Sequence, residues 1–141
     1  RFQFAESNVS GLNFSFSGIK TSLLYFLKDQ QKHSPNFIQE NIHDICASYQ
    51  QHLISMLMKK LVLASNETGI KEIALAGGVA ANSELRLQLS KLSEQYNWST
   101  YIPDFQYCTD NAAMIALTGH LYFPYNKFAN LTDAPHPRFK F

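Results

Sequence analysis

The sequence predicts an α/β fold in which a helical segment precedes a short strand–helix–strand–helix layer. Two observations carry this expectation. Apolar residues recur at three- and four-residue steps from Ile19 to about Ala64, whereas beyond Gly69 short apolar runs alternate with stretches of helical spacing. The connections between those runs are short, as they are where parallel neighbours are joined through a crossover helix.

Taken in order, residues 1–12 read as a polar, irregular lead-in. Asn13-Phe14-Ser15-Phe16-Ser17 alternates apolar and small polar residues, the period of a short strand that Gly18 ends. Ile19, Leu23, Phe26 and Leu27 then mark a helix to about Lys32. Ser34-Pro35 supplies a cap followed by proline at the first helical position. A long helix follows on the stripe Ile38, Ile42, Ile45, Tyr49, Leu53, Met56 and Leu57, roughly 40 Å at 1.5 Å per residue if it ends near Ala64. Gly69 closes that connection. Glu72–Ala76 has the length of a buried strand, Gly77-Gly78 turns it, and Leu85, Leu89, Leu92 and Tyr96 place a helix from about Asn82. Trp98–Ile102 reads as a second strand stopped by Pro103. Thr109-Asp110 opens a last helix through Ala113, Ala116, Leu117 and Leu121, and the Pro-bearing tail (Pro124, Pro135, Pro137) is irregular. The chain thus divides into residues 1–68, 69–123 and 124–141.

Composition excludes several classes. With 141 residues, 45% apolar and 19 aromatics, the chain has ample material for a core, so disorder is not expected. No run approaches the ~18 apolar residues of a membrane span. A net charge of +1 is not the footprint of a dominant nucleic-acid surface. Two cysteines are too few for a disulfide framework or a thiolate zinc cage. Tripeptides starting at Asn8, Asn13, Asn66, Asn97 and Asn130 match the glycosylation pattern. Such matches arise by chance in a chain with ten Asn, and with no signal-peptide pattern ahead of them a cytoplasmic protein is expected. The first residue is Arg1 and patterned sequence begins at once, so the chain reads as a piece of a longer protein.

Three segments invite a chemical reading. In Ala76-Gly77-Gly78-Val79-Ala80-Ala81-Asn82, two glycines after a strand allow a ligand to approach the main chain. The helix that follows would aim its N–H groups and positive dipole end at the turn. Asn82 adds an amide for a hydroxyl or base edge. The alternative is a tight turn with Asn82 as N-cap. In Cys108-Thr109-Asp110-Asn111-Ala112-Ala113, Thr109 and Asp110 either cap the helix or Asp110 projects as a ligand to metal or phosphate. One carboxylate alone does not hold a transition metal. In Phe14-Ser15-Phe16-Ser17-Gly18-Ile19-Lys20-Thr21 the ending suggests a P-loop, but Ile19 separates Gly from Lys and breaks that spacing. Ser17 and Lys20 could still meet an anion, or the segment is only a strand turning into a helix.

The histidines (His33, His43, His52, His120, His136) form no zinc-type pair, and His43 and His52 read as surface or boundary residues. Cys46 falls on the apolar stripe, and Cys108 in a loop by a strand end; neither has a charge partner in the sequence that would make it a nucleophile. Met56 and Met58 read as core filling or flank.

In this order, FSFSGIKT, LAGGVAAN and YCTDNAAMIA resemble the tRNA adenosine threonylcarbamoyltransferase family, formerly labelled glycoproteases, over about residues 10–123. Two departures are small: Ala81 follows Ala80 where the family often has Ser-Ala, and Ala112 stands where Gly is common. The resemblance implies the C-terminal lobe of an actin-like ATPase fold, with ligand held between two lobes. It implies Asp110 as a ligand of the active-site metal (iron by resemblance, zinc as the other option). Asn82 would bind the adenylate, and Gly77 and Gly78 would line the same pocket. The implied reaction moves a threonylcarbamoyl group from threonylcarbamoyl-AMP to the exocyclic amine of an adenosine beside the tRNA anticodon, with partner subunits involved. The family's other metal ligands, a His-x-x-x-His pair, do not occur in these 141 residues. The chain alone is therefore expected to be inactive and, with a face left uncovered, to self-associate. The competing expectations are another enzyme of the same fold, such as a sugar kinase or carbamoyltransferase, and a non-catalytic lobe that docks partner proteins.

Overall fold

The computed structural model describes residues 1–5 and 9–134; Asn8, Pro135, His136 and Pro137 lie outside them. Among the described residues the architecture is four α-helices and one small parallel sheet, so the expected α/β class holds.

α1 runs Phe16–His33, and the strand expected over Asn13–Ser17 does not form. The Gly18 N–H donates to Ser15 Oγ (3.2 Å) and the Ile19 N–H to the Ser15 carbonyl (3.2 Å). Ser15 thus satisfies one of the donors a helix start leaves open and accepts the first bond of the helix, and that local gain outweighs a five-residue alternation with no partner strand. Ser34 does not start the next helix. It ends α1, donating its N–H to the Gln30 carbonyl at 3.0 Å. Pro35 lies in the turn closed by the Phe37 N–H on the Ser34 carbonyl (3.0 Å), and α2 is Phe37–Thr68. At 32 residues α2 is about 48 Å long, a full turn beyond the last apolar position. Its end is set by Gly69, in the left-handed region at φ 72°, whose N–H closes on the Ser65 carbonyl at 2.9 Å.

α2 is the spine, packed by α1 and α3. Ile19 on α1, Ile45 and Ile54 on α2, and Leu85 and Leu89 on α3 are buried along it. The lead-in is irregular but not merely polar. Phe2 and Phe4 enter an aromatic cluster with Phe26, Phe37 and Tyr49, ring centroids 5.2–6.0 Å apart. Cys46 departs from the expected stripe and is exposed, as is Ile42. His43 is exposed, and His52 is half-buried beside Phe4. Met56 and Met58 are half-buried.

β1 (Glu72–Ala74) and β2 (Ser99–Tyr101) pair in parallel, Ile73 opposite Thr100, joined through α3 (Ser83–Tyr96). Both are shorter than expected, and β1 is not a buried strand: Glu72 and Ala74 are exposed. In a two-stranded sheet each strand is an edge, so neither is enclosed. Trp98, buried just before β2, donates from Nε1 to Ser65 Oγ (2.9 Å), and Ser65 Oγ–H donates to the Ile70 carbonyl (2.7 Å). This pins the sheet to the end of α2. α4 (Ala112–Tyr122) begins with Asn111 rather than Thr109 or Asp110 as its cap: Asn111 Oδ1 accepts from the Met114 N–H at 3.1 Å. No residue of α4 is buried. No helix among the described residues is long and apolar enough to cross a membrane.

Candidate functional site at the carboxyl ends of the parallel strands

The chain leaves β1 through Leu75-Ala76 and turns at Gly77, with φ 81° and ψ 177°. That conformation is accessible essentially to glycine alone. The helix starts directly after Asn82, as its spacing predicts, and not at the glycines themselves. A single 3-10 turn, Gly78–Ala81, intervenes, and α3 begins at Ser83. The helix N-terminus is therefore one short turn away from the glycines, and it is already capped: Asn82 Oδ1 accepts from the Leu85 N–H at 3.0 Å. The other half of that amide, Nδ2, donates to Gln50 Oε1 at 3.2 Å.

After β2 the chain passes Pro103, makes a 3-10 turn at Phe105–Tyr107, and reaches Cys108-Thr109-Asp110. This loop and the glycine turn face one another across a cleft of about 460 Å³, within the ~300–1,000 Å³ range of small-molecule sites. Leu75, Ala76, Gly77 and Gly78 line one side; Pro103, Tyr107, Cys108, Thr109, Asp110 and Met114 line the other. Gly77, Gly78 and Asp110 are thus brought together. Asn82 is not on this cleft. It lines a neighbouring cavity of about 390 Å³ with Phe16, Cys46, Gln50 and Val79, which also brings the FSFSG segment into reach of the second motif. Lys20 is exposed on α1 and lines neither space.

The sequence reading missed Arg86. This side chain donates from Nε to the Ala80 carbonyl (2.5 Å) and from Nη2 to the Pro103 carbonyl (2.6 Å) and Cys108 Sγ (3.1 Å). Its guanidinium lies 4.2 Å from the centroid of the Phe105 ring. Cys108 therefore does have a cationic neighbour, contrary to the expectation drawn from local sequence. It is buried, and its S–H is directed at the Asp104 carbonyl at 3.5 Å. The signal was faint: Arg86 follows Leu85 at the border of the α3 apolar stripe, four residues after the capping Asn82.

In metal terms the cleft offers one carboxylate, Asp110, which is exposed. No group of three His, Cys, Asp or Glu among the described residues is placed to hold an ion. These donors do not by themselves fit a transition metal.

The arrangement is that of an α/β layer with a candidate ligand cleft outside the carboxyl ends of its parallel strands, the place where open sheets of this class receive ligands. The sequence profile of the tRNA N6-adenosine threonylcarbamoyltransferase family matches residues 1–117, and the chain belongs to that family. Proteins named tRNA N6-adenosine threonylcarbamoyltransferase include one from Riemerella anatipestifer, 48% identical over 139 residues, covering 99% of this chain and 41% of the relative. One from Cytophaga hutchinsonii is 50% identical over 139 residues, 99% of this chain and 40% of the relative. One from Caldicellulosiruptor saccharolyticus is 42% identical over 120 residues, 85% of this chain and 35% of the relative. The chain spans about 40% of the length of the first two.

Proposed function

We propose that the chain is the C-terminal lobe of an actin-like ATPase fold in a cytoplasmic enzyme that moves a threonylcarbamoyl group from threonylcarbamoyl-AMP to the N6 amine of an adenosine beside the tRNA anticodon. The observation that carries this reading is the shared cleft of Gly77, Gly78 and Asp110 at the strand ends. In the transfer, the amine nitrogen bonds to the carbamoyl carbon, the bond from that carbon to the phosphate oxygen breaks, AMP leaves, and the amine gives up a proton. The acyl-phosphate is already activated, so the protein's task is to hold donor and amine in register. On this chain the glycine turn lets the main chain approach the adenylate, with no side chain between. Asn82 serves the adenylate from the adjoining cavity, which requires its Nδ2 to exchange Gln50 for the ligand.

The family resemblance also brings a metal, iron or zinc. Asp110 is then one ligand of a set whose other members lie in the part of the relatives that this chain does not span. Transfer by the 141 residues alone is not expected. The tRNA surface and the partner subunits belong to the whole protein.

The test is made on the protein encoded by the complete reading frame, assayed for threonylcarbamoyladenosine in tRNA by nucleoside mass spectrometry. Wild-type protein with its partner subunits forms the product, and Asp110→Ala and Asn82→Ala each reduce it at least tenfold. Full activity in both variants would leave the lobe a docking module. Thermal stabilisation by a sugar but not by the adenylate would point to a different enzyme of the same fold.

A further inference from the structure

The cleft has two walls from two separate stretches of chain, and no hydrogen bond between main-chain atoms of Gly77–Ala81 and Pro103–Asp110 joins them among the described residues. What joins them is one side chain. Arg86 reaches the glycine wall through the Ala80 carbonyl and the opposite wall through the Pro103 carbonyl and Cys108 Sγ. Phe105, on that same wall, lies against the guanidinium face. Arg86 is itself absent from the cleft lining, so it contacts ligand only through the segments it holds. No carboxylate pairs with it among the described residues.

We infer that Arg86 is a positioning residue whose guanidinium fixes the separation of the glycine turn from the Cys108–Asp110 loop, and thereby the affinity of the cleft for its anionic adenylate. The rigid fork of donors suits this task, since it serves two carbonyls and a sulfur at once while its charge sits over an aromatic ring. A lysine in its place brings one point charge and cannot span all three. The fit of any ligand touching both walls then depends on Arg86, while the chemistry of the transfer does not. The inference rests on the adenylate reading of the cleft.

The experiment uses the full-length protein with its partner subunits, as wild type, Arg86→Gln and Arg86→Lys. Two readouts are taken: iodoacetamide labelling of each cysteine by mass spectrometry, and KM and kcat for threonylcarbamoyl-AMP. In Arg86→Gln, Cys108 labels at least tenfold faster while labelling of Cys46 is unchanged. KM for the adenylate rises about tenfold, kcat changes less than twofold, and KM for tRNA stays as it was. Arg86→Lys recovers part of the adenylate KM, and it carries the test should Arg86→Gln fail to fold. A protected Cys108 in a folded variant, or an adenylate KM equal to wild type, overturns the inference. So does a kcat that falls together with a raised KM for tRNA, which is the signature of a general loss of structure. If wild-type protein binds no adenylate, the reading of the cleft itself falls, whatever the thiols do.

Discussion

Gly77 and Gly78 are neighbours in sequence and unequal in structure. At Gly77, φ 81° with ψ 177° excludes side chains on backbone grounds, although a Cβ there would meet nothing within 4 Å. Gly78 has neither restriction, its φ being ordinary and the space about it open. Gly77→Ala should therefore cost about 1–3 kcal/mol in urea denaturation, and Gly78→Ala should leave the midpoint nearly unchanged. Equal effects would mean that the turn is held differently from its described form. Asn82 separates two roles in the same way. Asn82→Asp keeps an oxygen acceptor for the Leu85 N–H and should preserve stability, whereas Asn82→Ala should lose about 1 kcal/mol. Both remove the amide donor and should weaken adenylate binding in the full-length protein. A binding loss confined to Asn82→Ala would reduce this residue to a cap.

The starts of α1, α3 and α4 are decided by side chains that accept main-chain N–H groups, whereas Asn36 at the start of α2 makes no such bond. Ser15, Asn82 and Asn111 each accept from the residue three positions on. Such signals are local, so the order of elements was legible from sequence apart from the strand expected over Asn13–Ser17, along with the parallel pairing implied by short strands around a helix. The misplaced starts at Ser34 and Thr109-Asp110 share one cause. More than one residue near each is able to cap (Ser34 and Asn36; Thr109, Asp110 and Asn111), and the choice among them depends on where the preceding turn closes. The join between sheet and spine is a longer-range feature. Ser65 accepts from the Trp98 indole, 33 positions away. Ser65→Ala strands a buried N–H and should cost about 1–3 kcal/mol. Trp98 is the single tryptophan, so its fluorescence reports the change directly; an unaltered unfolding curve would mean that the indole N–H finds another partner.

At the scale of the molecule, one surface is unlike the rest. From Ala112 to Tyr125 there is no Asp, Glu, Lys or Arg. Ile115 is 75% exposed, Leu117 and Leu121 60%, and Phe123 67%. A contiguous apolar surface of this kind is normally covered. The 141-residue chain on its own should therefore elute from size exclusion well above its monomer mass at micromolar concentration. Ile115→Glu with Leu121→Lys should return it to a monomer. A monomeric wild-type chain would contradict this expectation.

Sequence alone determined the class of the fold, the order of its elements from α1 onward and the three motifs that mark the family, because caps, glycine turns and hydrophobic periods act over a few residues. It also placed Gly77, Gly78 and Asp110 at the same end of the layer. Only the tertiary structure decided that these three share a cleft while Asn82 faces a neighbouring one, and that Phe2 and Phe4 belong to an aromatic cluster with α1 and α2. It alone showed that Arg86 joins the two walls. The reason is distance along the chain: Arg86 meets Pro103 and Cys108 at separations of 17 and 22 residues. No local period encodes such a meeting, which exists only once β1 and β2 have paired.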